Sequence, residues 1–307
     1  MVGQVVGVEA LAALGAVDFL MWVVTGISTG LTQGFSIQLS QYYGAKDFEN
    51  LRKSLAHSYR LTAFIAAGVL ILSQSFASLV LTGLHTPSNI IGMSLLYLRI
   101  IFCGIPATAA YNMFASALRA MGNSKTPLTA MIIASVLNVS LDILFVAGFG
   151  WGVAGAAIAT VIAQSFSAVY CFLILRRIDI VHLTRADFMP ASGMNARLMK
   201  LGIPVVFQNI IIGVGGLVVQ YVINGYGFLF VAGFTATNKL YGLLEMAAIS
   251  YGYAIVTYVG QNLGAEKIDR IRKSVRSSML LSLLTSLIIS AAMFFIWKKY
   301  SLTFHLR

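Results

Sequence analysis

Long runs of hydrophobic residues, separated by short polar segments, follow one another along the whole chain. Each run is about 20 residues or longer, which is enough for a helix to cross the ~30 Å hydrocarbon core of a bilayer. The runs predict eight membrane-spanning helices, at residues 14–40, 58–84, 89–118, 127–149, 151–175, 202–226, 230–261 and 277–298. Of the 307 residues, 58% are hydrophobic and only 10% are charged, whereas soluble domains carry about 25% charged residues. We therefore expect an all-α integral membrane protein.

The polar segments between the runs alternate between basic and uncharged. Lys and Arg gather after the first, third, fifth and seventh runs, and the segments between them hold neither. Because basic loops stay on the cytoplasmic side of a membrane, these four segments are predicted to be cytoplasmic, with Met1 outside. The terminal residues Lys298, Lys299 and Arg307 would then break the rule. The Lys and Arg residues of these loops serve to orient the protein in the membrane, which accounts for the net charge of +11. We therefore expect no nucleic-acid partner.

An internal repeat joins the first and seventh hydrophobic runs. Gln41 aligns with Gln261 and Gly44 with Gly264, and the sequence Arg-Lys-Ser at 52–54 returns at 272–274, all at one constant offset. Six predicted spans separate the two copies. Because six is even, both copies enter the membrane from the same side, as expected for parallel repeats related by an axis along the membrane normal.

The repeat also predicts how the chain divides. A six-helix unit that occurs twice gives a twelve-helix parent with two lobes. Residues 1–177 are then an amino-terminal lobe that lacks its first helix, and residues 178–200 are a cytoplasmic linker. Residues 201–307 are the first three helices of the carboxy-terminal lobe. We therefore expect this chain to be truncated at both ends.

Six short motifs, in order among the predicted spans, resemble the multidrug and toxic compound extrusion (MATE) family. They are ALAALGA at 10–16, QYYGAKD at 41–47, LRAMGNSKTP at 118–127, NVSLDILFVAGFGWGVAGAAIAT at 138–160, GIP at 202–204 and VGQNLGAEK at 259–267. The resemblance covers nearly the whole chain. It implies twelve helices in two lobes around a central cavity. It also implies export of drug-like, often cationic, compounds driven by inward flow of Na+ or H+.

Asp142 is the sharpest candidate for ion coupling, because a carboxylate in the middle of a span is costly unless something stabilises it. Asn138 lies one helical turn earlier, and Thr160 lies in the following span. Their oxygens are the hard ligands that an alkali cation prefers. The resemblance to the MATE family implies a cation site at these three residues. The alternative is a hydrogen-bonded network that only packs helices. Asp18 is interpreted as a residue at the outer end of the first span.

Residues for a substrate cavity are less sharply defined. Glu245 is predicted to face the cavity and attract cationic compounds, or instead to neutralise Lys239 or Arg99. Amides inside spans can line a wet cavity or join helices, and our candidates are Gln33, Gln208 and Asn209. Pro204, just before the last two, and Pro106 in the third span are predicted to bend their helices.

The favoured function is a cation-coupled antiporter that exports small amphipathic or cationic compounds from the cell, as a multi-pass protein of the cell membrane. The alternatives are a lipid-linked oligosaccharide flippase of the same superfamily, a membrane-embedded transferase, and a non-functional fragment of an exporter. No enzyme activity is expected, because the four histidines lack metal spacing and there is no nucleotide-binding Gly-rich loop. His57 is interpreted as a solvated loop residue.

The predicted partners are a small-molecule substrate and the lipid bilayer, with the protein a monomer. We expect no cofactor beyond the coupling ion, Na+ or H+, and no metal site beyond a possible Na+ at Asp142. Cys103 and Cys171 both lie inside hydrophobic runs, so they are interpreted as reduced packing residues and not as a disulfide.

The alternation of basic and uncharged segments gives a test of orientation. In a chain whose native cysteines are replaced by alanine, a cysteine at Ser88 should react with a membrane-impermeant thiol reagent added outside intact cells. A cysteine at Ser124 should react only after the inner membrane surface is exposed. Labelling with the opposite sidedness would overturn the predicted topology.

Overall fold

The computed structural model describes the backbone of residues 2–304, and the side chains of that range apart from residues 4, 236, 239–241, 243–248 and 292–304. All regular elements in this part are helical. The α-helices are α1 (Val2–Val5), α2 (Val8–Gly44), α3 (Phe48–Gly83), α4 (Ile91–Cys103), α5 (Ile105–Ala120), α6 (Lys125–Asp142), α7 (Gly152–Leu175), α8 (Met194–Asn224), α9 (Phe228–Gly264) and α10 (Ile268–Phe304). A π-helix, Ile143–Gly148, continues α6, and two 3₁₀ turns, Asp179–Val181 and Arg185–Phe188, lie between α7 and α8.

The predicted spans are confirmed as helices. Within the described residues, six helices are long and apolar enough to cross a membrane: α2, α3, α6 with its π-helical extension, α7, α8 and α10. A seventh span is the pair α4 and α5, which meet at an angle of 48°. The remaining predicted run, 230–261, the seventh in chain order, falls within α9, a helix of 37 residues.

The bend between α4 and α5 has a local cause. Pro106 lies in the first turn of α5, where its missing N–H cannot complete a hydrogen bond to α4. Gly104 occupies the junction and tolerates the close approach of the Val161 side chain. The bend predicted at Pro106 is therefore confirmed. By contrast, α8 runs without interruption through Pro204.

The internal repeat is reproduced in the backbone. Helices α2 and α9 are both 37 residues long, and each ends before a residue with a positive φ of 58°, Lys46 in one copy and Glu266 in the other. Each is preceded by a glycine with positive φ, Gly7 or Gly227. The capping geometry is thus repeated at the same offset as the sequence, which confirms that one structural unit occurs twice.

The two copies pack against each other as parallel helices. Near one end, Gly15 faces Thr235, its own repeat partner, and near the other end Gly260 faces Ser40, again its partner. A Cβ atom on Gly260 would lie 2.6 Å from that of Ser40. Residues meet their own equivalents at both ends only when the helices run in the same direction about an axis between them. The predicted parallel repeat is therefore confirmed.

Helix α2 also packs closely against α8, in the opposite direction. Gly34 contacts the backbone of Gly202, and a Cβ atom on Gly30 would lie 2.8 Å from the backbone nitrogen of Val206. Two turns away from Gly34, Gly26 lies against Asn209. Small residues let helix backbones approach in a membrane, where van der Waals packing replaces the hydrophobic effect between helices. The glycines of α2 therefore set the distance between α2 and α8.

The segment between α7 and α8 packs on the first turns of α3. Arg52 of α3 lies 3.8 Å from the Asp187 carboxylate, and the Arg60 guanidinium donates a hydrogen bond of 2.9 Å to the carbonyl of Phe188. The segment is thus attached to the helical body along one side of α3.

His57 is a correction to the sequence interpretation. It lies within α3 and is buried, not solvated. Its Nε2 atom is 3.0 Å from the carbonyl of Met189, and its Nδ1 atom is 2.7 Å from the side-chain oxygen of Asn195. The sequence interpretation failed because α3 begins at Phe48, ten residues before the apolar run does, so its polar first turns are helix and are covered by the segment between α7 and α8.

The close packing of α2 on α8 predicts a specific sensitivity. Gly34→Ala should lower the midpoint of thermal unfolding, because overpacking costs about 1–3 kcal/mol. Gly215→Ala is the matched control, since it is also a glycine inside a long helix but nothing lies within 4 Å of its Cβ position. Thermal unfolding of the purified chain in detergent measures both. Equal midpoints for the two variants would contradict the packing described.

Candidate functional site

Asp142 lies where α6 changes from an α-helix to the π-helix Ile143–Gly148. Single π-helical turns inside α-helices often occur at functional sites, because the wider turn leaves side chains and carbonyls in unusual positions. The Oδ1 atom of Asp142 is buried, and no hydrogen-bond donor reaches it within the described part of the chain. An unpartnered carboxylate oxygen of this kind needs a proton or a cation to stabilise it.

The structure brings the other two predicted cation ligands together beside Asp142. The side-chain nitrogen of Asn138 lies 3.5 Å from the hydroxyl oxygen of Thr160, and that hydroxyl donates a hydrogen bond of 2.9 Å to the carbonyl of Ala156. Asn138 and Asp142 are four residues apart, so they share one face of α6. The Asn138 amide oxygen and the Asp142 carboxylate are therefore the acceptors that remain available to an ion or a proton.

Tyr97 of α4 adds a feature that the sequence did not reveal. Its phenol lies within electrostatic reach of both Asp142 and Asp18. Asp18 is also a correction: α2 begins at Val8, so Asp18 lies about three turns inside the helix and not at its end. Tyr97 could not be singled out among thirteen tyrosines, because only the folded chain brings α4 near the two carboxylates.

A second site lies between α2, α8 and α9, in a cavity of about 450 Å³. Three of the four predicted substrate residues line it: Gln33, Gln208 and Asn209. The other lining residues are mostly aromatic, hydroxyl-bearing, aliphatic or glycine, namely Trp22, Thr25, Gly26, Thr29, Val205, Ile212, Ile249, Gly252 and Tyr253. No described lining residue is charged. The described lining of the cavity is therefore neutral and amphipathic.

The amide side chains of this cavity differ in how many of their hydrogen-bonding groups are already used within the protein. The Asn209 side-chain nitrogen donates a hydrogen bond of 3.0 Å to the carbonyl of Gly26, which ties α8 to α2. Thr29 accepts a hydrogen bond of 3.1 Å from Asn112 of α5. Neither Gln33 nor Gln208 has a side-chain hydrogen bond within the described residues, so their amides remain available to a ligand.

Helices α5 and α9 contact each other at one edge of the cavity. The Arg119 guanidinium of α5 lies 4.9 Å from the ring centre of Tyr253, which lines the cavity. Next to it, the side-chain nitrogen of Gln261 donates a hydrogen bond of 2.8 Å to the carbonyl of Ala120. In the sequence, Arg119 counts as a loop cation, but it lies in the last turn of α5 and is half-buried.

The fourth predicted substrate residue, Glu245, is not placed. Its backbone lies within α9, and its side chain lies outside the part of the structure that is described. Its role as a cavity residue stays a prediction.

Comparison with known proteins agrees with this architecture. The sequence model of the MatE family matches residues 1–144 and 204–306. The "Probable multidrug resistance protein YoeA" of Bacillus subtilis (strain 168) is 28% identical over 283 residues, covering 90% of this chain and 61% of that protein. The "Probable multidrug resistance protein YpnP" of the same organism is 31% identical over 270 residues, covering 88% and 60%. The chain thus spans about 60% of the length of these curated relatives.

The fold is shared with a solved structure described as the "Outward-facing conformation of a multidrug resistance MATE family transporter of the MOP superfamily". The TM-score is 0.86 at 21% sequence identity, over 95% of this chain and 65% of that one. The family match covers both repeat copies, the helices that form the cavity, and Asn138 and Asp142, but not Thr160. The chain therefore belongs to the MatE family of multi-pass membrane transporters.

Proposed function

We propose that this chain acts as a cation-coupled antiporter, which exports small amphipathic or cationic compounds across the cell membrane in exchange for Na+ or H+. The observation that carries the proposal is the buried, unpartnered carboxylate oxygen of Asp142. The nearby Asn138 amide offers a neutral oxygen, and neither Asn138 nor Thr160 carries a counter-charge. A bound Na+ or a proton is the natural partner of such a group.

The neutral described lining of the cavity supports the export of amphipathic organic compounds. Its volume of about 450 Å³ is within the usual range for small-molecule pockets. The faces of Trp22 and Tyr253 attract organic cations through cation–π contacts, and the amides of Gln33 and Gln208 supply hydrogen bonds. Because Arg119 already lies over Tyr253, we expect the charged end of a cationic substrate to bind toward Trp22.

Two lobes around a shared cavity, with an ion site inside one of them, are the parts that alternating access requires. In antiport, the ion and the substrate favour different conformations, so each lowers the affinity for the other. Because the chain spans about 60% of the length of its relatives, transport by this chain is itself part of the proposal.

A flippase for lipid-linked oligosaccharides is the second candidate. It would need cationic side chains inside the cavity to hold a pyrophosphate. The described lining residues include no Lys or Arg, and Arg119 lies behind the ring of Tyr253. This composition favours the exporter.

The cavity is predicted to be wet. In a chain whose native cysteines are replaced by alanine, Gln33→Cys and Gln208→Cys should react with a hydrophilic thiol reagent. The rate should be on the order of ten times that of Val218→Cys, because the reactive thiolate forms in water and not in lipid. Val218 is the control, since it is 62% exposed on α8 but does not line the cavity. A lipophilic cation such as ethidium should slow the reaction of the two cavity cysteines only. Equal rates at all three positions would contradict a wet cavity.

The coupling role of Asp142 predicts a loss of transport. In liposomes with an imposed Na+ or H+ gradient, Asp142→Asn should lower ethidium transport by about tenfold or more, because Asn keeps the shape but cannot exchange a charge. Asp179→Asn, at an exposed position between α7 and α8, should transport normally. Near-normal transport by Asp142→Asn at equal protein level would refute the coupling assignment. Absence of transport by the unmodified chain with either gradient would refute the proposed function for this chain.

A further inference from the structure

Two adjoining cavities lie along α3, away from the site described above. The first, of about 390 Å³, lies between α3, α5 and α7, and we name it the lateral groove. The second, of about 300 Å³, lies between α3, the end of α7 and the segment that follows α7, and we name it the basic mouth. Tyr59 and Phe172 line both cavities. The groove and the mouth therefore adjoin each other at these two rings.

The lateral groove has the chemistry and length of an acyl-chain site. Its described lining is apolar apart from the hydroxyl groups of Tyr59 and Thr62, and Ala63 and Ala67 form an open trough on α3. From Tyr59 to Leu70 the groove follows eleven residues of α3, a rise of about 16 Å. That is about half of the ~30 Å hydrocarbon core, which is the depth of one leaflet.

The basic mouth lies at the cytoplasmic end of this groove, according to the charge pattern of the loops. Arg176 and His182 line it, and Arg177 follows directly in the chain. Asp179 is the acidic residue nearby in sequence, but no ion pair joins it to Arg176 in the described part of the chain. The guanidinium of Arg176 is exposed. A free cation therefore lies where an apolar groove opens at the membrane surface.

Thr62 supplies a polar group at the end of the lateral groove that is nearer to the basic mouth. It lines the groove one turn beyond Tyr59 and is only 7% exposed. Its hydroxyl has no hydrogen-bond partner within the described residues. A buried hydroxyl without a partner costs free energy, and an ester carbonyl at the top of an acyl chain would satisfy it.

We propose that the lateral groove and basic mouth bind one anionic phospholipid of the cytoplasmic leaflet. An acyl chain lies in the groove, the ester region meets Thr62, and the phosphate lies against Arg176 and His182. The combination of an apolar groove one leaflet deep, an unpartnered hydroxyl and a cationic mouth fits this ligand better than it fits a free anion or a hydrocarbon alone. The site is distinct from the cavity between the lobes, so it does not depend on the proposed function.

Native mass spectrometry of the detergent-purified chain, titrated with phosphatidylglycerol or phosphatidylcholine of equal chain length, tests the proposal. Phosphatidylglycerol should bind with a stoichiometry of one and at least about fivefold more tightly. Arg176→Gln should weaken its binding about fivefold, since a basic residue at a membrane surface contributes about that factor. Arg272→Gln, an exposed arginine on α10, is the matched control and should leave binding unchanged.

A second pair of variants tests the groove by filling it. Ala67→Phe should weaken the binding of phosphatidylglycerol, whereas Val218→Phe, on the exposed surface of α8, should not. Glycerol 3-phosphate, which has the headgroup chemistry without acyl chains, should not displace the lipid. Displacement by glycerol 3-phosphate would assign the mouth to a free anion. Equal binding of the two lipids, or equal effects of Arg176→Gln and Arg272→Gln, would overturn the proposal.

Discussion

The close approach of the α2 backbone to α8 and α9 is the constraint on which the rest of the structure depends. Glycines on one side of α2, at positions 26, 30 and 34, meet α8, and Gly15 and Gly44 meet α9. In a bilayer such contacts replace the hydrophobic effect as the force that joins helices. They fix α2, which belongs to the first repeat copy, against α9 of the second copy and against α8. The cavity lies between these three helices, where Trp22, Thr25 and Thr29 face the space that the glycine contacts enclose.

The same helix connects the cavity with the Asp142 cluster. Tyr97 lies within electrostatic reach of Asp142 on α6 and of Asp18 on α2. Trp22 lies one turn after Asp18 on α2 and lines the cavity. The Asp142 carboxylate thus has a contiguous physical link to the cavity, since α6 packs against α7, α7 against α4, and α4 against α2. Such a link can couple ion binding to substrate binding when the helices have two arrangements. The ion must then favour one arrangement and the substrate the other.

The sequence predicted the helices and the parallel repeat because both depend on long, regular patterns. It also predicted that Asn138 and Thr160 lie close together, because a short connection joins their helices, whereas their role as cation ligands stays a prediction. It did not reveal the positions of Arg119, His57 or Tyr97, because hydropathy reports the depth of a residue in the membrane and not the face of the helix it occupies. The amide side chains of the cavity show the same limit of sequence-based prediction. Gln33, Gln208 and Asn209 converge on one cavity, but only the packing of α2 on α8 distinguishes the bonded Asn209 from the free glutamines.

The central claim is that an ion at Asp142 and a compound in the cavity exclude each other. Equilibrium binding of tetraphenylphosphonium to the purified chain, measured as a function of Na+ concentration and pH, tests it most directly. By linkage, the account predicts that the dissociation constant rises with Na+ or with falling pH, and that the dependence is lost in Asp142→Asn. A dissociation constant that is independent of both ions in the unmodified chain, or that keeps its dependence in the variant, would contradict the account.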